Sequence, residues 1–320
     1  MLDDACLILA GAGYSEAKKA AVRQHIAARR GVASVPEFEW EPARRSNIYR
    51  TSSWDDIRTL EELLEAAFLT DLDDAAKTAA AAFDAIAAAG TTARIPQALD
   101  AFEKAMRAAF TTDTESLIRA TVNRLINKGA LVAGLEQGLR DTLSKNDVID
   151  GMIDNAKFAT NEHFSRAVLP DIYGKLDDLY ALNQSPTATM TAVRELALDG
   201  IDREDYRLRI TANGAASRSY HYGVVKGGWD AGFRLFRFTA VLDERTSEVC
   251  ENMNGKTFSV ASAVNVVERR ATGGAEDLKE VSPWFTKGQV EGKTDQEIEA
   301  IGCLIPPLHA NCRSSITLTN

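Results

Sequence analysis

Three of the four cysteines in this 320-residue sequence fall in its last quarter, Cys250, Cys303 and Cys312, and His309 stands among them. A structural zinc ion takes four Cys or His donors in a tetrahedron, and the H-x-x-C pair His309 and Cys312 can converge on one ion within a single turn of backbone. Cys303 lies six residues before His309, with Pro306-Pro307 stiffening the link, and Cys250 is expected to arrive from a loop between two strands. Together they form a candidate Cys3His site, where zinc would add folding energy to a thin local core. The spacing is not that of a CxxC ribbon, because Met253 stands where the second cysteine of such a pair would be.

The same residues admit other chemistry. A thiol activated by His309 would be a nucleophile, since the thiolate is the reactive form, but no oxyanion or third-residue signature accompanies it. Buried thiols beside a hydrogen-bonded histidine are the plain structural alternative, because cysteine is among the most buried residue types. A zinc deaminase needs H-x-E ahead of P-C-x-x-C, and here the histidine is followed by "AN". Neither G-x-S-x-G nor a phosphate-binding G-x-x-x-x-G-K-[ST] occurs. Cys6, His163 and His221 stand apart from the cluster; "GAGYSE" reads as a turn before a helix, and "DLDD" at 71–74 as acidic residues favouring a helix N-terminus.

These residues must be positioned by a folded chain, and the composition supports one. Hydrophobic residues are 45% and charged residues 26%, with a formal charge of -9 from 37 basic and 46 acidic side chains. That balance, without a basic or aromatic-rich stripe, disfavours a nucleic-acid backbone as the main partner. The start lacks the basic region and long apolar core of a secretory signal, and no apolar run approaches bilayer length, so a soluble protein made in the cytoplasm is expected.

Up to about residue 200 the patterning is helical. Ser53 is an N-cap candidate before Trp54, Ile57, Leu60, Leu64 and Phe68 at spacings of three and four. An Ala-rich helix ending at Gly90, a helix after Pro96, and a longer one after Asp113 that carries Leu117 to Leu143 follow, with Gly129, Gly134 and Gly138 marking an expected break. Helices are predicted over Asn146 to Leu169 and Thr187 to Leu198, the latter stopping at Gly200. A further helix ends in a turn at Gly227-Gly228 and Gly232. The best strand is "LFRFTAVLDE", with Phe236, Phe238, Ala240 and Leu242 on one face. Gly255 turns the chain into a second strand through Phe258 and Val260; residues 261–293 read as a surface excursion; Thr294 and Glu297 form a capping box for a short helix that delivers Cys303. The expected class is mainly α with a small α+β C-terminal module: a helical body over 1–200, then 201–320 with a short antiparallel β unit that zinc would close.

The C-terminal stretch also resembles a known family. "FTAVLDERTSEVCENMNGKTF", preceded by the helix "RITANGAASRSYHYGVVKGGWDAGF" and followed by "PPLHANCRS", is similar to the phage head morphogenesis family, the Mu F-like minor head proteins. Asp243, Arg245, Thr246, Cys250, Gly255, Phe258, Pro306, Pro307, His309, Asn311, Cys312 and Arg313 fit the family pattern over roughly residues 200–320. Thr211-Ala212 stands where the family often has T-E, Ser314 replaces a frequent final cysteine, and the stretch between Phe258 and Pro306 is longer than usual, which makes Cys303 a substitute candidate for the fourth ligand. The resemblance implies a minor capsid protein rather than an enzyme, made in the host cytoplasm and carried inside the head. Its partners would be the portal and also the scaffold or major capsid protein, met through the helical body. An enzyme of nuclease, protease or toxin-like type built on the Cys/His cluster is the alternative.

Overall fold

The structure, a computed structural model, describes residues 8–30, 54–88, 112–134, 145–163, 186–273 and 278–320, with scattered positions in 96–104 and 170–178. Helices α1 (Glu16–Arg30), α2 (Trp54–Ala88), α3 (Thr112–Val132), α4 (Lys145–His163) and α5 (Pro186–Asp230) lead to strand β1 (Leu235–Thr239). After β1 come α6 (Glu248–Met253), β2 (Thr257–Ser259), α7 (Val260–Thr272), the short helices α8 (Leu278–Val281), α9 (Lys287–Val290) and α10 (Asp295–Ala300), and β3 (Ser315–Thr319). The fold is mainly helical with a small antiparallel sheet near its C-terminal end, the class expected from sequence. The helix expected after Pro96 lies largely outside the described residues, as do Cys6 and the leucines at 135, 139 and 143.

The stripe Ile57, Leu60, Leu64 and Phe68 of α2 is buried as its spacing requires. The Ala-rich stretch is not a separate helix: α2 runs through 71–74 without interruption, so those aspartates are helix-interior residues and not an N-terminal cap. Asp71 is buried and accepts hydrogen bonds from Lys18 Nζ and Thr114 Oγ1. Tyr14 reaches the same Thr114 hydroxyl at 2.5 Å. A buried carboxylate keeps its charge only where such partners replace water, so this network ties the start of α1 to α2 and α3.

Helix α5 does not stop at Gly200 but continues for 45 residues to Asp230. It packs on α2, α3, α4 and α7, and buries Ala212, Ala215, Ala216, Tyr220, Tyr222, Val224 and Val225 around much of its girth. A helix covered on several sides has no single apolar stripe for the eye to follow, which is why its length was hidden. Gly129 is not a break either. A Cβ on Gly129 would lie 2.1 Å from the Tyr220 carbonyl oxygen, and one on Gly223 would lie 2.0 Å from that of Ile126. The two glycines let the backbones of α3 and α5 touch.

At the end of α5, Gly232 adopts φ 84° and Phe233 N–H donates to Gly228 O at 2.9 Å, a C-terminal cap that turns the chain into β1. β1 is the centre of a sheet of order β2-β1-β3, antiparallel on both sides. Phe236 faces Phe258 and Leu318, Phe238 faces Ile316, and all three phenylalanines are buried. β1 ends at Thr239, so Ala240 and Leu242 leave the sheet and Leu242 is exposed. Val260 belongs to α7, whose N-cap Ser259 accepts from Ser262 N–H at 3.0 Å. The expected excursion over 261–293 is therefore overturned at its start: α7 buries Ala263, Val266, Val267, Arg270 and Ala271, spaced to cover α4 and α5. β3, absent from the sequence expectations, zips the chain's end onto β1 from Thr239↔Ser315 to Leu235↔Thr319. Among the described residues no helix is long and apolar enough to cross a membrane.

The α3/α5 contact makes a test. Gly223→Ala is expected to lower the unfolding free energy by about 3 kcal/mol, because backbone cannot yield as a side chain can. Gly288→Ala in α9, where nothing lies within 4 Å, is expected to be neutral or stabilising by up to about 1 kcal/mol. Denaturant titration of both variants checks the contrast.

Candidate metal centre

Cys250 sits in the first turn of α6, where Ser247 is the N-cap and accepts from the Cys250 backbone N–H at 3.3 Å. The loop before it is a knot of short bonds. Thr246 Oγ1 donates to Val241 O at 2.5 Å and accepts from Asp243 N–H at 2.7 Å, while Asp243 Oδ1 accepts from Arg245 N–H at 2.9 Å. The Asp243 carboxylate is then held by Arg313 through two bonds of 2.7 and 2.5 Å. That fork draws the Asp243 carboxyl well below its usual range, with the Arg245 amide adding to it. A carboxylate depressed in the folded state supports stability above its ordinary pKa, and that support is lost as pH falls through the lower folded value.

The other donors arrive on the segment before β3. Arg270, buried on α7, donates from Nη1 to Ile305 O at 2.7 Å and more distantly to Pro306 O at 3.5 Å, fixing the run that leads into the cis Pro306-Pro307 bond. Leu308 O accepts from Phe285 N–H at 2.9 Å. Asn311, at φ 57°, turns the chain so that His309 and Cys312 face α6.

The result is a compact group: Cys250 Sγ lies 3.1 Å from His309 Nε2 and 3.7 Å from Cys312 Sγ, and all three ligand atoms fall within 4.8 Å of one another. His309 Nδ1 is 2.7 Å from Ala310 O. A carbonyl oxygen can only accept, so the proton belongs on Nδ1 and Nε2 is the atom free to bind a metal. Cys250 and Cys312 are buried, and His309 is half-buried.

The contact between the two sulfurs shifts them in opposite directions. Cys250 is pushed up to about 12 by its bond with Cys312 and by burial. Cys312 is pulled down to about 6 by that same bond, against burial, with help from backbone groups at Leu308 and Ser314 and from the Ser314 hydroxyl. Burial would lower His309, but contact with Cys250 and the Ala310 carbonyl raise it overall.

The donor set fits a zinc-type ion. With Zn–S near 2.3 Å, two thiolates of one tetrahedron stand about 3.8 Å apart. The observed 3.7 Å between Cys250 and Cys312 matches that edge. Two thiolates and a neutral imidazole around a divalent ion also sum to zero charge, which suits a buried position. Cys250, His309 and Cys312 would hold the ion, which would supply a cross-link between α6 and the start of β3.

Cys303 stands outside this group. Gly302, at φ 72°, ends α10, and Cys303 N–H donates back to Ile298 O at 3.3 Å. That places Cys303 at the cap position whose side chain packs inward beside Ile298. Its thiol is fully buried and pushed up to about 12, mainly by burial, with Arg270 acting the other way and Cys250 adding to it. Sequence reasoning missed two residues. The partnership of Arg313 with Asp243 has no local signal because 70 residues separate them. Ser314 is buried, and it bonds both sulfurs.

The remaining histidine that the structure describes in full near this module, His221, is a buried core residue. Its Nδ1 donates to Ser217 O at 2.7 Å and burial lowers it to about 4, so it is neutral. The side chain of His163 lies outside the described residues.

Comparison with family models, with curated proteins and with solved structures finds no match for this chain.

Purified protein is expected to carry about one zinc per chain and to unfold at lower temperature after chelation. Cys250→Ser and Cys312→Ser should each lose the metal. Cys303→Ala should keep it while costing about 1 kcal/mol of packing. Metal analysis with thermal unfolding of the three variants reads all of this; loss of zinc in Cys303→Ala would place the fourth donor there.

Proposed function

We propose that this chain is a minor head protein of a tailed phage or prophage, in which a zinc-locked C-terminal module holds an elongated helical body for contact with the portal. The carrying observation is that the two separated halves of the motif that resembles the Mu F-like family's meet in one corner. Asp243 grips Arg313, and Cys250 meets His309 and Cys312. A motif whose residues mainly hold one another suits a structural role in assembly better than turnover.

In this reading the zinc ion is structural. It fastens β3 and the segment before it to α6, much as a metal clip fastens small domains with thin cores. The helical body, dominated by α2 and α5, offers the surface for portal, scaffold or major capsid protein. The protein is made in the host cytoplasm and carried within the head. The net charge of -9 argues against packaged DNA as the main partner.

A second reading, an enzyme of hydrolytic type, draws on one observation: three protein donors leave a tetrahedral position for water, as catalytic zinc sites do. Against it, the Asp243 carboxylate beside the group is already committed to Arg313.

The protein is expected to co-purify with the portal from infected or induced cells and to be present in finished heads. Heads of normal composition and infectivity from a deletion strain would contradict the assembly role. Turnover by the zinc-loaded protein that disappears in Cys250→Ser would support the enzyme instead.

A further inference from the structure

The sulfurs of Cys250 and Cys312 face one another at 3.7 Å, on elements that are fixed without any ion. Cys250 lies in α6 behind the Ser247 cap. Cys312 is next to Arg313, which grips Asp243 in the loop that leads into α6. Ser314 bonds both sulfurs. The two thiols are thus held in contact across 62 residues of chain.

Cys303 is set apart from this pair: it is fully buried, it follows the α10 cap, and it stands outside the group. Cys250 and Cys312 are themselves buried, but His309 beside them is half-buried and Asn311 is exposed. The pair therefore lies directly beneath partly exposed residues, within reach of a molecule as small as hydrogen peroxide. Two thiols in contact serve as donors while a metal ion is present, and they are a disulfide pair once it leaves.

We propose that Cys250 and Cys312 are a site of oxidative modification by hydrogen peroxide, closing to an intramolecular disulfide that replaces the zinc ion as the clip between α6 and the segment before β3. One thiol attacks an oxygen of the peroxide and becomes a sulfenic acid, and the O–O bond breaks with release of water. The second thiol attacks the sulfenic sulfur; the S–S bond forms and the S–O bond breaks, releasing a second water. The sulfur pair gives up two electrons and the peroxide takes them. The disulfide leaves His309 as the one remaining donor of the three, so ion and bond exclude one another. The bond stands on the sulfur geometry, whereas its exchange with zinc rests on the metal reading given above. For a protein made in a reducing cytoplasm and carried out of it in a particle, the exchange keeps the corner closed in both places.

The test uses the full chain as purified, treated with hydrogen peroxide. Intact-mass measurement is expected to show the loss of two hydrogen atoms per chain, and peptide mapping to place the bond between Cys250 and Cys312. A dithiol reductant should reverse it. About one zinc ion should be released per bond formed, and prior chelation should speed the bond about tenfold or more, because the ion occupies both sulfurs. The oxidised chain should unfold several degrees above the same chain stripped of zinc and kept reduced, since a cross-link over 62 residues restricts the unfolded state. Cys303→Ala should oxidise as the wild type does, and Cys250→Ser should form no bond. If Cys250→Ser does not fold, the mapped bond in Cys303→Ala decides. Overturning results are four free thiols after peroxide, sulfinic acid on either cysteine in place of the bond, or a bond to Cys303, to Cys6 or to another chain. Protein purified without zinc contradicts the metal reading alone; the bond is then scored on that protein by the same mass and map, so the two failures are distinct.

Discussion

The sheet depends on a contact made just outside it. Cys312 reaches Cys250 at 3.7 Å across 62 residues, and three residues later the chain enters β3. β3 itself brings little to the core: Ile316 is buried and Leu318 partly so. An edge strand of that kind, at the end of a long loop, is weakly held by its own side chains. The thiol, imidazole and Asp243–Arg313 contacts close the loop immediately before the strand, so its register with β1 is fixed from that end. A zinc ion in the group would make the closure strong.

From that corner the structure is continuous back into the helices. Arg270 holds the carbonyl of Ile305 and sits on α7; α7 packs on α4 and α5; α5 meets α3 backbone to backbone at Gly223 and Gly129. Close-packed elements transmit displacement instead of absorbing it. A change in the helical body would therefore be felt at the Ile305-Pro306 segment, and the reverse.

Much of this was legible in the sequence where a local rule applied. The alternation of Phe236 and Phe238, the Gly255 turn, the Thr294 and Glu297 capping box and the apolar stripe of α2 all appear as read. The Cys250, His309 and Cys312 set was visible as scarce ligand types, although residue type alone does not separate them from Cys303. That separation had a signal: Gly302 followed by Cys303 is the pattern of a helix C-terminal cap, whose second residue packs inward. Other features were hidden for physical reasons. α5 is covered on several sides and so shows no stripe, Gly129 serves packing and not bending, and Asp71 is buried by partners from α1 and α3 that sequence alone cannot bring near. α7 could have been found from Val260, Ala263, Val267 and Ala271 at spacings of three and four, but the polar residues after it made the whole stretch read as loop.

The central claim is that Cys250, His309 and Cys312 bind one zinc ion together, and X-ray absorption at the zinc edge of the purified full chain tests it most directly. Two sulfur scatterers at about 2.3 Å with nitrogen or oxygen at about 2.0 to 2.1 Å are expected. A shell of nitrogen and oxygen alone, or protein that takes up no zinc when purified with the metal present, would contradict it.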